Sequence, residues 1–324
     1  MNNRRKLVIA LSAGALTAPF EAFAQERVWK IGLVHVGNDH EPPSYKPLLE
    51  GMRAIGYEDG RNVRYDYRNV ADETAAEEAA RAFVRDRVDL IVGFDAEACA
   101  AAQKATVTLP IVMINVGNPV TAGFAKNLAH PGGNMTGFAG RAEIPAKELE
   151  FLRELAPKLA RILVLFDSRE ISSVAWRADA RVAAKRLKFT LVERDVADAT
   201  GIRRIFDGLK PGEAEAMMFA SAGLRHRQMR LGLSRALDHK LLVIANRDAL
   251  VEQGALFSYS YDFAKVGRAS AARYVDRVLK GTKPGDLPIE EVTEYELTVN
   301  GGVARRAGLK IPPSILVRAN KVIE

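Results

Sequence analysis

The chain has 324 residues, with 47 Lys and Arg against 40 Asp and Glu, and it contains a single cysteine, Cys99. This length exceeds what one hydrophobic core usually serves, so two domains are expected. Basic and acidic residues alternate without a long block of one sign, which argues against a nucleic-acid-binding protein. One cysteine cannot form an internal disulfide, and Cys99 is interpreted as a small buried residue.

Residues 1–24 have the features of a secretory signal peptide. Basic residues 4–6 precede an apolar segment, 7–18, that is too short to span a bilayer, and small residues at 22–24 form a cleavage site. The two adjacent arginines leave both the general and the twin-arginine export routes open. No cysteine follows the cleavage site for lipid attachment, so a periplasmic protein without a lipid anchor is expected. Without residues 1–24 the chain has 44 Lys and Arg and 39 Asp and Glu, a net charge of +5.

Apolar periodicity downstream predicts two runs of strands and helices. The first run has strands 28–35, 62–69, 89–93 and 111–116, with helices 46–55, 73–85 and 96–106. The second has strands 161–166, 189–196, 215–220, 241–245 and 255–259, with helices 171–187, 201–209 and 224–239. Short apolar strands separated by helices are typical of parallel sheets buried on both faces. The sequence therefore predicts an α/β protein with two doubly wound parallel-sheet lobes and a cleft between them.

The sequence lacks the common signatures of enzymes and cofactor sites. It contains no HExxH, CxxC pair, phosphate-loop lysine, GxGxxG after the first strand or GxSxG elbow. The five histidines have no metal-ligand spacing, and His35, at the end of the first strand, is either structural or part of the cleft. We therefore expect no metal and no cofactor, and an enzyme would need an active site without a known motif.

Candidate ligand contacts follow the carboxyl ends of the predicted strands, where open parallel sheets bind ligands. They are Asn38, Phe94, Asp95, Asn118, Asp167, Ser168, Ser221, Arg247 and Tyr261. A few hydrogen-bonding groups among aromatic and small residues suit a small, partly apolar molecule. Arg247 is the leading candidate, because a guanidinium can bind a carboxylate through two hydrogen bonds.

Each polar candidate also has a structural interpretation. Asn38 and Asn118 are suited to turns, and Asp95, Ser168 and Ser221 are suited to helix caps. Arg247 has Asp248 and Glu252 nearby as partners for a salt bridge. Tyr259 and Tyr261 alternate with Ser258 and Ser260, so only one of these two sets can face the cleft.

Two blocks of the sequence carry a family resemblance. The first contains Val116-Gly117-Asn118-Pro119-Val120, Asn127-Leu128, Pro131-Gly132-Gly133-Asn134 and Thr136-Gly137. The second contains Ser258-Tyr259, Leu279-Lys280-Gly281, Asp286-Leu287-Pro288 and Ile311-Pro312-Pro313-Ser314. Together they resemble the substrate-binding proteins of ABC transporters, in the tryptophan-binding-protein-like branch with a type I periplasmic binding fold.

The resemblance implies two lobes joined by a three-segment hinge. The N-terminal lobe would contain residues 25–138 and 263–285, and the C-terminal lobe residues 139–262 and 286–324, with crossings near 137–141, 259–262 and 285–292. It further implies that the lobes close around a small solute and present it to a membrane permease that works with separate ATPase subunits. We expect a monomer that binds no nucleic acid and catalyses no reaction.

The resemblance also bears on the ligand, because several relatives take aromatic or other apolar amino acids. The family usually has Asp where this chain has Asn118, and a neutral amide cannot form an ion pair with a ligand ammonium group. An aromatic or branched organic acid therefore competes with an amino acid as the expected ligand. Two other functions stay open at this point, namely a periplasmic sensor that signals to a membrane receptor and an extracytoplasmic enzyme on the same fold.

Overall fold

The computed structural model describes residues 27–37, 41–140, 143–196, 198–220 and 226–324. The predicted signal peptide lies outside the described residues. In chain order, the first elements are β1 Trp29–Val36, α1 Tyr45–Ala54, β2 Val63–Val70, α2 Glu73–Arg85, β3 Leu90–Gly93, α3 Ala96–Ala105, β4 Ile111–Val116 and β5 Met135–Ala139.

The second run begins at α4. It contains α4 Ile144–Leu155, β6 Arg161–Phe166, α5 Ile171–Leu187, β7 Thr190–Asp195, α6 Ala199–Asp207, β8 Ala216–Phe219, α7 His226–Asp238, β9 Leu242–Ala245, α8 Asp248–Glu252 and β10 Phe257–Tyr261. The chain continues through α9 Phe263–Lys265, a π-helical segment Val266–Ala271 and α10 Ala272–Leu279. It ends with β11 Glu290–Glu291, β12 Tyr295–Asn300, α11 Gly301–Arg306, α12 Pro313–Arg318 and β13 Lys321–Ile323.

The described strands form two sheets. The first has the order β11-β5-β4-β3-β1-β2 and is parallel throughout. The second has the order β13-β12-β10-β9-β8-β6-β7, and its one antiparallel pair is β10 with β12. In each sheet the chain order reverses beside a central strand, between β1 and β3 and between β6 and β8, which is where ligands of such sheets bind. The predicted fold class is confirmed.

Apolar side chains cover both faces of each sheet. Leu33 and Val92 belong to the core on one face of the first sheet, and Val34 and Ile91 belong to the core on its other face. The second sheet divides in the same way. This pattern explains why central strands such as β3 and β6 are almost continuously apolar, because neighbouring residues point into different cores.

The segment from α9 to α10 returns to the first lobe and packs closely on α1. A Cβ atom added at Gly51 would lie 1.9 Å from the carbonyl oxygen of Arg268, and one added at Gly267 would lie 2.5 Å from that of Ser44. Two glycines, one on each helical segment, therefore allow a backbone approach that any other residue would prevent.

The three crossings between the sheets follow from strand membership. They fall between the end of β5 and the start of α4, at residue 262 and at residues 292–294. The third lies later than expected, because β11 pairs with β5 and so belongs to the first sheet. The sequence had instead predicted that residues 286–291 belong to the C-terminal lobe.

Several elements were not predicted, among them β5, α4, α8 and the short elements near the C-terminus. Helix α4 was overlooked although Leu149, Leu152 and Leu155 recur at helical spacing on its buried side. Elsewhere most predicted bounds differ from those of the structure by one or two residues. No helix among the described residues is long and apolar enough to cross a membrane.

Candidate functional site

Two adjoining cavities lie between the lobes. The first, which we call the aromatic cavity, has a volume of about 140 Å³ and is lined by Trp176, Phe219, Tyr259, Tyr261, Phe263 and Tyr295 with Asn115, Asn118, Glu148, Asp179 and Asn246. The second, the polar cavity, has a volume of about 120 Å³ and is lined by His35, Asp72, Glu73, Phe94, Asp95, Glu97, Asp167, Arg169 and Arg247. Asn115 and Phe263 line both cavities, which therefore meet.

On the wall of the polar cavity from the first lobe, Asp95 is fully engaged. One carboxylate oxygen accepts the backbone N–H of Ala98 at 2.7 Å and so caps α3. The other lies 2.7 Å from Nδ1 of His35 and accepts the backbone N–H of Val36 at 2.9 Å. The helix-cap interpretation of Asp95 thus describes its contacts, and the capped helix end is locked to the end of β1.

Asp167 and Arg169 form the opposite wall, from the second lobe. The guanidinium Nε of Arg169 lies 2.8 Å from the carboxylate of Asp167, and a second guanidinium nitrogen also bonds to it. The pKa of Arg169 is raised, first by the hydrogen bond with Asp167, and the charge of Glu73 on α2 adds to this. Because Glu73 belongs to the first lobe and Arg169 to the second, the attraction between their charges acts across the cleft.

Arg247 occupies the N-cap position of the short helix α8 and lines the polar cavity. The two carboxylates considered as its partners have other contacts. Asp248 accepts the hydroxyl of Ser258 at 2.6 Å, and Glu252 pairs with Lys321 at 2.9 Å. Asp248 and Glu252 thus each have a partner other than Arg247.

A hydrogen bond joins the lobes where the cavities meet. The hydroxyl of Tyr261 at the end of β10 donates to Oδ1 of Asn115 on β4. Asn115 has a left-handed backbone, with φ of 61°, which Asn tolerates better than most residues. Burial raises the pKa of Tyr261 well above its ordinary value, as does Tyr295, while the charge of Arg247 opposes the shift. Asn115 was missed from the sequence, although an Asn inside an apolar strand was a usable signal.

Both tyrosines of β10 line the aromatic cavity together with Ser260, whereas Ser258 does not. The rings of Tyr259 and Tyr295 stack with centroids 5.2 Å apart, and those of Tyr261 and Phe263 lie 4.2 Å apart. The side chain of Ser258 is fully buried and bonds to Asp248. Tyr259 and Tyr261 both line the cavity, as expected for residues two apart on a strand.

Two carboxyl groups that the sequence did not reveal enter the aromatic cavity. Glu148 on α4 is only 3% exposed, and burial raises its pKa well above the ordinary value, which a hydrogen bond with Trp176 opposes. Its Oε2 atom has no hydrogen-bond partner among the described residues. Asp179 on α5 also has a raised pKa because of burial. A Glu in line with the apolar residues of α4 was the signal for Glu148.

The remaining candidates have varied positions. Phe94 is a core residue in edge contact with the ring of Tyr45, and it reaches the polar cavity. Asn118 accepts the backbone N–H of Thr121 at 3.0 Å, which is the turn role, and it also lines the aromatic cavity. Ser168 is exposed and is not among the described residues that line the cavities. Asn38 and Ser221 lie outside the described residues.

Comparison with known proteins gives consistent matches. A family model described as ABC transporter substrate binding protein matches residues 33–323. A tyrosine-binding protein of Clostridioides difficile is 29% identical over 256 residues, which cover 79% of this chain and 73% of the relative.

Two solved structures, each 25% identical, cover 91% of this chain and 99% of their own. One is the ABC domain in complex with L-Trp from Streptococcus pneumoniae, with a TM-score of 0.80. The other is the ligand-free, open form of a substrate binding protein with adhesive properties from Clostridium difficile, with a TM-score of 0.66. The chain belongs to the family of ABC transporter substrate-binding proteins.

Proposed function

We propose that this protein captures a small amino-acid-like or carboxylate-bearing ligand between its lobes and presents it to an ABC permease. The observation that carries the proposal is the pair of adjoining cavities at the carboxyl ends of both sheets, lined by residues of both lobes. A ligand placed there would contact both lobes only while they are closed. It would therefore stabilise the closed state by its additional contacts.

The arrangement of the lobes supports capture by closure. The chain is more similar to the L-Trp complex than to the ligand-free, open structure, at equal identity and coverage. Ile171 at the start of α5 packs against the core of the first lobe, and the hydrogen bond between Tyr261 and Asn115 joins the same two parts. The structure thus has the contacts of a closed form.

The cavities also suggest how a ligand would be oriented. Arg247 would bind a carboxylate, because its planar guanidinium matches the two oxygens. The aromatic cavity would hold an apolar or aromatic side chain beside Tyr259 and Tyr295. A tyrosine-binding relative and a relative solved with L-Trp agree with an aromatic amino acid, and a deaminated aromatic acid has the same shape.

The wider setting follows from the family, whose members act outside the cytoplasm. We include in the proposal export by residues 1–24, a periplasmic location without a lipid anchor, and action as a monomer. Separate ATPase subunits would supply the energy for import, and the ligand would undergo no covalent change in this protein.

Thermal-shift measurements test the proposal. Purified mature protein is screened against amino acids and small organic acids, and hits are titrated by calorimetry. A ligand at 100 times its Kd should raise the free energy of unfolding by about 2.7 kcal/mol. Mass spectrometry should then recover the ligand unchanged. A panel without any hit, or a ligand converted to product, would contradict the proposal.

A further inference from the structure

The carboxyl group of Glu148 has an unusual environment. It is 97% buried, it lines the aromatic cavity, and its Oε2 atom has no hydrogen-bond partner among the described residues. Leaving a buried polar atom without a partner is unfavourable, and more so for a charged group. A protein that retains this cost in a ligand cavity has an acceptor ready for a group that enters from outside.

The rest of the cavity indicates which kind of group that is. Asp179 supplies a second carboxyl group, and Trp176, Tyr259 and Tyr295 supply aromatic rings. Aromatic faces attract cations, and two carboxyl groups add to this attraction in a space of low dielectric constant. No Lys, Arg or His is found among the described residues that line this cavity. A neutral hydrogen-bond donor would need one acceptor, whereas a cation uses both carboxyl groups and the rings.

We infer that the aromatic cavity binds a cationic nitrogen of the ligand next to the ligand's apolar part, with Glu148 as the ion partner of that nitrogen. This inference rests on the proposed function and narrows the ligand to a zwitterion, whose carboxylate meets Arg247. The ligand is therefore expected to carry an ammonium group, although the neutral side chain of Asn118 cannot form an ion pair with one. The carboxylate that pairs with this ammonium group is that of Glu148 on α4, not a side chain at position 118.

The ionisation of Glu148 supplies a readout that does not depend on any variant. Burial favours the protonated form of its carboxyl group in the empty cavity, because burial raises its pKa well above the ordinary value. An arriving ammonium group stabilises the carboxylate, so binding should release about one proton. A neutral phenol or indole donor would leave the proton in place.

Other titratable groups lie near Glu148. Asp179 on α5, Tyr259 and Tyr261 on β10, and Tyr295 on β12 share its cavity. Glu154 of the same helix pairs with Arg318 of α12, and Glu150 pairs with Lys147 and Arg186. Because Asp179 can contribute to proton release, the signal is assigned to Glu148 only if it falls in Glu148→Gln.

The experiment uses matched sets of probes on the full mature chain. Each set contains an aromatic amino acid, its deaminated acid and its decarboxylated amine: L-tryptophan, indolepropionate and tryptamine; L-tyrosine, hydroxyphenylpropionate and tyramine. Calorimetry at pH 6, in two buffers of different ionisation enthalpy, gives the affinity and the protons released. The amino acid should bind at least about tenfold more tightly than the deaminated acid, with release of about one proton.

Variants then assign the effect to a residue. Glu148→Gln should reduce the preference for the amino acid to less than about threefold and abolish most of the proton release, while the deaminated acid binds as before. Glu150→Gln, on the exposed side of the same helix, should behave as the wild type. Glu148→Asp keeps the charge and should retain part of the preference, so a folding defect of one variant would not hide the result.

The possible outcomes separate the two proposals. Equal binding of amino acids and deaminated acids by the wild type, without proton release, would overturn the inference and leave the proposed function intact. An amine preference that survives in Glu148→Gln would also overturn it. If no probe in either set binds but another solute of the wider panel does, the ligand is not an aromatic zwitterion. The same comparison is then made between that solute and its deaminated form. Equal binding of the two would overturn the inference. If no solute binds at all, both proposals fail.

Discussion

The two cavities differ in how their carboxyl groups are satisfied. In the polar cavity, Asp95 has partners on both oxygens and Asp167 is held by Arg169. In the aromatic cavity, Glu148 has a hydrogen bond with Trp176 but an oxygen without a described partner. The polar wall is therefore preorganised without a ligand, whereas the aromatic wall is completed by one. Preorganisation reduces the cost of ordering on binding, and an unmet acceptor adds selectivity for what enters.

The largest expected effect tests the charged end of the polar cavity. Arg247→Ala should weaken binding of the best ligand from the panel by about 2–5 kcal/mol, because a buried carboxylate loses its partner. Arg247→Lys should recover part of the loss, since an ammonium group cannot match both oxygens.

The same variants separate binding from stability. Denaturant unfolding of Arg247→Ala should change little, because an arginine at the end of a strand contributes mainly surface contacts. Arg181→Ala, which removes an exposed arginine paired with Glu193, is the matched control. Lower stability with unchanged affinity would instead restore the salt-bridge interpretation.

A second test asks whether the polar wall is preorganised by Asp95. Asp95→Ala should lower the free energy of unfolding by about 1–3 kcal/mol, because α3 loses its cap and His35 loses its partner. Asp198→Ala removes the exposed side chain that caps α6, so it should cost only about 1 kcal/mol. Urea unfolding of the two variants gives the comparison, and equal losses would show that the contacts of Asp95 with His35 and the backbone of Val36 add nothing.

Removing the carboxyl group of Glu148 from the aromatic cavity should instead stabilise the ligand-free protein at high pH. The pKa of Glu148 lies above its ordinary value of 4.5, so the folded state keeps a proton that the unfolded state releases as the pH rises. Stability from this group therefore falls with increasing pH above about 4.5, until the pH passes the folded-state pKa. Glu148→Gln removes this dependence and should be more stable than the wild type at pH 8 by about 1–3 kcal/mol. Urea unfolding at pH 5 and pH 8 measures the difference, and parallel losses in both proteins would contradict it.

Sequence patterns predicted the fold well because its signals are local and repeated. The bounds of α2, β4, β6 and α5 agree with the structure to the residue, since continuous apolar strands and helical stripes mark them. The third crossing was misplaced because β11 has only two residues, whose pairing with β5 is a distant contact. Polar side chains at strand ends were found from the order of elements. Glu148 was missed because helix α4 was not predicted, so a Glu in line with its buried apolar residues went unnoticed.

The smallest expected effect is that of a substitution at Asn118, which lines the aromatic cavity and holds the turn after β4. Asn118→Asp keeps the oxygen that accepts the N–H of Thr121, so the turn and the stability should be preserved. The added charge lies at the edge of a half-buried site, where it should favour an amino acid over its deaminated acid by about 1 kcal/mol. In the Glu148→Gln background the same change should partly restore the lost preference, because a carboxylate again enters the cavity. Calorimetric titration of both ligand types against the single and double variants measures this coupling. An unchanged preference in both backgrounds would leave Asn118 as a turn residue only and would assign recognition of the cation to the wall formed by α4.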